Sequence, residues 1–132
     1  MTIRKLLLGT VAATLLATSP ALASNWLAWP TKDIANTAEG MRLYNTNCAP
    51  LATAARVIVT GMWHVLYARR LQAQNQGLQE GGQASAAAAV RIAADDESAG
   101  TLAARAQARQ MIQELGKDKW CATLAPYVAQ FN

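Results

Sequence analysis

The strongest pattern in the chain runs from Pro50 to about Asn75, where apolar residues recur at spacings of three and four. This spacing places their side chains on one face of a helix. The positions on this face are Leu51, Ala54, Ala55, Ile58, Met62, Val65 and Leu66. The sequence therefore predicts the main core helix here. Gly61 lies inside it, at a cost of about 1 kcal/mol relative to alanine, which predicts close contact with another helix.

Three other segments carry helical patterns. We expect one helix from about residue 31 to 45, one that begins at the acidic cluster 95–98 and runs to 115, and a last one after residue 118. In the last helix, Pro126 predicts a kink or a break. The inward positions are Ile34, Ala38 and Met41, then Ala104, Ala108, Met111, Ile112 and Leu115, then Trp120, Leu124, Tyr127, Val128 and Phe131. The sequence predicts an all-α, small single-domain bundle of about four helices.

A glycine- and alanine-rich segment at 77–94 separates the second and third of these helices. Gly77, Gly81 and Gly82 predict a loop or a frayed helix end. The alanines that follow favour helix but offer little bulk for packing. This segment is therefore expected either to lie close against another helix or to be partly disordered.

The first residues have the pattern of an export signal. Arg4 and Lys5 precede an apolar run of about a dozen residues, and Pro20 then precedes a small-x-small motif at 21–23 that a signal peptidase cuts. The apolar run is shorter than the roughly 20 residues that cross a bilayer. We therefore expect residues 1–23 to be a signal peptide and residues 24–132 a single small domain, periplasmic or secreted, with no transmembrane anchor after cleavage.

The charge of the chain argues against a polyanionic partner. The formal net charge is +4, and two of these charges come from Arg4 and Lys5 in the predicted leader. A nucleic-acid-binding protein carries a stronger basic excess on one face, because it neutralises many phosphates at once. We therefore expect no nucleic-acid partner.

The two cysteines, Cys48 and Cys121, are expected to form one long-range disulfide. Export would place them where disulfides persist, and only one intramolecular pairing exists. A redox-active pair usually has a Cys-x-x-Cys spacing, which these residues lack. His64 is the single histidine and no cluster of ligands surrounds it in the sequence, so we expect no metal site and no cofactor.

A second face of the main helix is the best candidate binding surface. Its cationic and aromatic members are Arg56, Trp63, Tyr67 and Arg70, with Thr60 and Gln74 between them. Such a stripe can grip a carbohydrate, an anionic headgroup or an acidic protein surface. In the alternative reading, Trp63 and Tyr67 complete the core while the two arginines reach past them to water.

No specific reaction is indicated by the residues. A general base needs a substrate pocket and an orienting partner, and His64 has neither in the sequence pattern. In architecture alone, the chain resembles small periplasmic proteins such as acid-stress chaperones and immunity proteins. We expect a non-enzymatic helical protein that binds another protein of the cell envelope, in an accessory, chaperone-like or immunity-type role. The alternative is a carrier or sensor of a small apolar ligand, suggested by four tryptophans in so small a domain.

Overall fold

A computed structural model of the protein describes residues 25–132, and the predicted signal peptide and its cleavage site lie outside that range. Within these residues the chain forms a 3₁₀ turn at Trp26–Ala28 and three α-helices. We name them α1 (Thr31–Asn47), α2 (Thr53–Leu115) and α3 (Lys117–Ala129). The all-α prediction is confirmed, whereas the expected number of about four helices is corrected to three.

The long helix α2 is folded back on itself as a hairpin. Gly81 and Gly82 have non-helical backbone angles, and Gly82 has a φ of 75°, which glycine adopts without strain. Across this kink, Nε of Arg70 and Oε2 of Glu97 lie 3.4 Å apart, although a straight helix would separate the two residues by about 40 Å. The residues before the kink (53–80) are called the first arm, and those after it (83–115) the second arm.

Two expectations for this region are wrong. Gly77 belongs to helix and not to a loop, because the chain reverses only at Gly81 and Gly82. The acidic cluster at 95–98 does not begin a helix but lies within the second arm. The alanine-rich segment packs closely against the first arm: a Cβ added to Gly77 would lie 2.6 Å from the Cα of Ala86.

Helix α1 packs against both arms. Gly100 approaches the Lys32 carbonyl and Asn36, while Arg105 reaches Glu39, so α1 runs parallel to the second arm and antiparallel to the first. The main core joins α1, the first arm and the C-terminus. Its buried members are Ile34, Ala35, Ala38, Met41, Leu51, Ala55, Met62, Leu66, Val128 and Phe131. Ala54, predicted to point inward, is exposed, and Leu51 is buried just before α2 begins.

Helix α3 closes the other side of the bundle. Trp120 and Leu124 form a second core with Ala108 and Met111 of the second arm. Each large apolar side chain buried in this way stabilises the fold by roughly 1.5–3 kcal/mol. The helix continues through Pro126, so the break that this proline could have caused is absent. Leu115, predicted to point inward, is 39% exposed.

The predicted disulfide between Cys48 and Cys121 is present, with a Cα–Cα distance of 5.5 Å. It joins the end of α1 to the first turns of α3. Farther along the same helix pair, the hydroxyls of Thr37 and Tyr127 share a 2.9 Å hydrogen bond. These two links run in opposite order along the two helices, so α3 is antiparallel to α1.

The tryptophans before α1 pack on the first arm. A Cβ added to Gly61 would lie 3.6 Å from the indole of Trp26, so this glycine faces a side chain and not the crossing helix that was expected. Arg69 fastens the segment by donating hydrogen bonds to the carbonyls of Leu27 and Trp29 and to the Thr31 hydroxyl. The start of α1 is thereby held level with Arg69.

The closed end of the hairpin extends past the start of α1. The first residues of α1 lie beside Arg69 on one arm and Gly100 on the other, so most of the segment 71–96 lies beyond them. At a rise of 1.5 Å per residue, the first arm (71–80) projects by about 15 Å and the second (83–96) by about 20 Å. None of the helices in residues 25–132 is both long and apolar enough to cross a membrane.

Candidate protein-binding seam on the helical hairpin

The four residues of the predicted binding face have different surroundings. Trp63 is half-buried and packs against the main core, as the alternative reading expected for it. Tyr67 is exposed instead, and the Arg70 guanidinium stacks over its ring at 5.6 Å from the centroid. Arg70 also forms the ion pair with Glu97 across the hairpin. Arg56 is exposed near the start of the first arm.

Beside this face, the first arm carries a row of exposed side chains at alternating spacings of three and four residues. We call this row the seam; its members are Val57, Thr60, His64, Tyr67, Leu71, Gln74 and Leu78. Four of them are large and apolar or aromatic, and they are between 43% and 66% exposed. The spacing is that of the a and d positions of a coiled coil, which pack against a second helix.

The seam lies on the side of the first arm that faces away from the core. Met62 and Leu66 are buried on one side, and His64 lies between them in sequence. Residues two apart in a helix point in nearly opposite directions, because each residue turns the chain by about 100°. The seam is therefore a second, partly apolar face on the same helix, about 30 Å long from Val57 to Leu78.

The binding face predicted from the sequence overlaps one edge of the seam. It included Thr60, Tyr67 and Gln74, while Arg56 and Arg70 each precede a seam residue. It missed Val57, Leu71 and Leu78, which supply most of the apolar surface. The signal that could have found them is the spacing of seven residues between Val57, His64, Leu71 and Leu78.

A groove continues the seam at the closed end of the hairpin. It has a volume of about 490 Å³ and is open to solvent. Gln74 and Leu78 line it from the first arm, while Gln83, Ala86, Ala87 and Val90 line it from the second. The small alanine side chains leave the second arm recessed, so a side chain from a partner can enter between the arms.

The first arm has a small excess of basic residues. Arg56, Arg69 and Arg70 lie on it, and its single acidic residue, Glu80, is next to the kink. Residues that flank the a and d positions choose a partner through their charge. Arg70 is already paired with Glu97, so the charge beside the seam comes from Arg56, which precedes Val57 and favours a partner with an acidic side chain beside its apolar positions.

A small cavity lies between α1, the second arm and α3. Its volume is about 40 Å³, and its lining includes Gly40, Ala104, Ala108, Trp120 and Tyr127. This is room for one or a few water molecules, whereas sites for small organic ligands have volumes of about 300–1,000 Å³. In this conformation the cavity does not fit a ligand of that size.

One charged cluster is built into the contact between α1 and the second arm. The Glu39 side chain is 1% exposed and accepts hydrogen bonds from Arg42 and Arg105. Burial alone would raise the pKa of Glu39, but the hydrogen bonds from the two arginines outweigh it and hold this pKa below its ordinary value. The carboxylate is therefore ionised at neutral pH and joins the two helices.

The Glu39 cluster makes the stability of the protein depend on pH. We expect Glu39→Gln to lower the free energy of unfolding by about 2 kcal/mol at pH 7, because hydrogen bonds to a charged group are lost. A lowered folded-state pKa stabilises the fold fully above the unfolded pKa of about 4.3, and this stabilisation is lost as the pH falls through the folded-state value. Urea unfolding at pH 7 and at acidic pH should therefore show the gap between wild type and variant closing in acid.

The matched control is Glu80→Gln on the exposed hairpin, which should unfold like the wild type at both pH values. If the gap between the wild type and Glu39→Gln is equally wide at pH 2 and pH 7, the Glu39 carboxylate is not the source of the acid sensitivity.

His64 lies in the middle of the seam. Its side chain is exposed and has no hydrogen bond to another of residues 25–132. No group of three or more His, Cys, Asp or Glu side chains in the described part of the chain could hold a metal ion.

No protein-family model, curated protein or solved structure matches this chain. The functional proposal therefore depends on the geometry of the seam.

Proposed function

We propose that this protein is an exported, non-enzymatic helical protein that binds another protein of the cell envelope through the seam on its first arm. The observation that carries this proposal is the seam itself. Single exposed apolar residues are common on protein surfaces, but an aligned row of them marks an interaction site. Val57, Tyr67, Leu71 and Leu78 form such a row.

The partner surface that fits best is an amphipathic helix. A helix with apolar residues at the same three-and-four spacing can pack its side chains between those of the seam along about 30 Å. Arg56, which precedes Val57, favours an acidic residue beside those positions. A globular partner can present such a helix on its surface, and an extended one can form it on binding.

Two further observations support a location outside the cytoplasm. The first 23 residues have the charge, apolar run and small-x-small motif of a signal peptide. The disulfide between Cys48 and Cys121 is of a kind that persists mainly in oxidising compartments. We therefore propose that the partner is met in the periplasm or at the cell surface.

The experiment is site-directed photo-crosslinking in cells. The full chain, with its own leader and a C-terminal tag, carries a photoreactive amino acid at position 71. The intact mass of the purified protein first shows whether residues 1–23 have been removed. We expect one dominant crosslinked protein, identified by mass spectrometry. Adding Leu71→Glu to a chain whose crosslinker is at position 78 should reduce the product by about 30-fold, the effect of losing a central interface residue.

The matched control position is Ile92, which is 65% exposed on the second arm. A crosslinker at position 92 should give little product, and Ile92→Glu should leave crosslinking from position 78 unchanged. If positions 71 and 92 give the same products, or if neither gives one, the seam is not the binding site. If the crosslinked product contains only two copies of this chain, the seam is a homodimer interface and the proposal of a different envelope partner is wrong.

The alternative function, as a carrier or sensor of a small apolar ligand, has less structural support. The cavity between α1, the second arm and α3 holds only about 40 Å³, and the groove of about 490 Å³ is open to solvent. The groove also shares Gln74 and Leu78 with the seam, which favours a continuous protein surface over an enclosed ligand.

A further inference from the structure

The cluster of Glu39, Arg42 and Arg105 has a net positive charge. Glu39 accepts bonds from Nε and Nη2 of Arg42, the latter at 3.2 Å, and from Nε of Arg105. One carboxylate is thus shared by two guanidinium groups. A charge of +1 therefore remains at the surface of the bundle.

Both arginines also keep donors that Glu39 does not use. Their side chains are 49% and 48% exposed, whereas that of Glu39 is 1% exposed. The carboxylate is thus on the inner side of the cluster, while both arginine side chains reach the solvent. Nη1 of Arg42 and both Nη atoms of Arg105 take no part in the bonds to Glu39.

We propose that Arg42 and Arg105 form a binding site for an oxyanion, a phosphate or carboxylate group that bridges the two guanidinium groups on the solvent side of Glu39. Guanidinium groups match the geometry of such anions with pairs of parallel hydrogen bonds. Glu39 already restrains both side chains, so less conformational entropy is lost when the anion binds. The site lies at the contact of α1 with the second arm, and none of its residues belongs to the seam.

Inorganic phosphate and acetate, titrated separately at constant ionic strength, test the site. The readout is the Nε–Hε NMR signal of each arginine in the wild-type protein. We expect saturable shifts for Arg42 and Arg105 and almost none for Arg91, which is exposed on the second arm. Saturation at lower phosphate than acetate would assign a phosphoryl group, and the reverse order would assign a carboxylate.

A matched pair of variants completes the test. Arg105→Gln should weaken anion binding by about tenfold or more, because a hydrogen bond to a charged group is lost. It keeps the bonds between Arg42 and Glu39, so the fold should survive. Arg91→Gln should bind as the wild type does. The proposal is overturned if all arginines shift equally, if the shifts rise without saturation, or if Arg42 and Arg105 do not shift. The wild-type titration decides this even if Arg105→Gln fails to fold.

Discussion

Removal of the disulfide, by Cys48→Ala together with Cys121→Ala, is expected to lower the free energy of unfolding by about 4 kcal/mol. The two cysteines are 73 residues apart in sequence. In the chain-entropy model, a cross-link over a loop of this length lowers the conformational entropy of the unfolded chain and so raises its free energy by about 4 kcal/mol. A domain of this size has a total stability of only about 5–15 kcal/mol. Urea unfolding of the double variant under non-reducing conditions measures the effect.

The control for this experiment is the wild-type protein in a thiol reductant, which should unfold at the same urea concentration as the double variant. Both cysteines are replaced because a single replacement leaves a thiol that can form intermolecular disulfides. If the double variant unfolds at the same urea concentration as the oxidised wild type, the bond between Cys48 and Cys121 does not stabilise the fold.

Gly100→Ala is expected to lower the free energy of unfolding by about 2–3 kcal/mol, the usual range for overpacking a core. The added Cβ would lie 2.2 Å from the Lys32 carbonyl oxygen and 3.0 Å from the amide nitrogen of Asn36. Both are backbone atoms, so no side-chain rotation relieves the contact. Helix α1 must therefore move away from the second arm, which also weakens the 3.2 Å hydrogen bond from Asn36 to the Gly100 carbonyl.

The matched control is Gly40→Ala on α1, where an added Cβ meets nothing within 4 Å. In an open position inside a helix, alanine is more stable than glycine by up to about 1 kcal/mol. The two substitutions are chemically the same and should have opposite signs in thermal unfolding. A Gly100→Ala protein that melts at or above the wild-type temperature would contradict the close contact between α1 and the second arm.

The fold class could be predicted because the core residues of each helix follow helical spacing. The reversal within α2 could be predicted only in part. Gly81 and Gly82 do mark the point where the chain turns, but Gly77, which also suggested a loop, is required by its contact with Ala86 on the other arm. Such a role depends on a neighbour that sequence spacing alone does not identify.

The same reason explains what was missed in the seam. The basic and aromatic edge stood out because arginine and tryptophan are unusual on a core helix. Leu71 and Leu78 did not, since apolar residues at helical spacing are most often core. Whether an apolar face is buried depends on where the other helices pack, and here α1 begins level with Arg69, so Leu71 and Leu78 lie beyond it.

We expect the projecting end of the hairpin to open more readily than the rest of the bundle. Its two arms meet through glycine and alanine, as at Gly77 and Ala86, so little apolar area resists their separation. The disulfide fastens the opposite end, where α1 meets α3. Amide groups near the kink should therefore exchange with solvent through local opening, at a free energy well below that of global unfolding. The projecting end can therefore adjust the distance between its arms, while the end held by the disulfide keeps its shape.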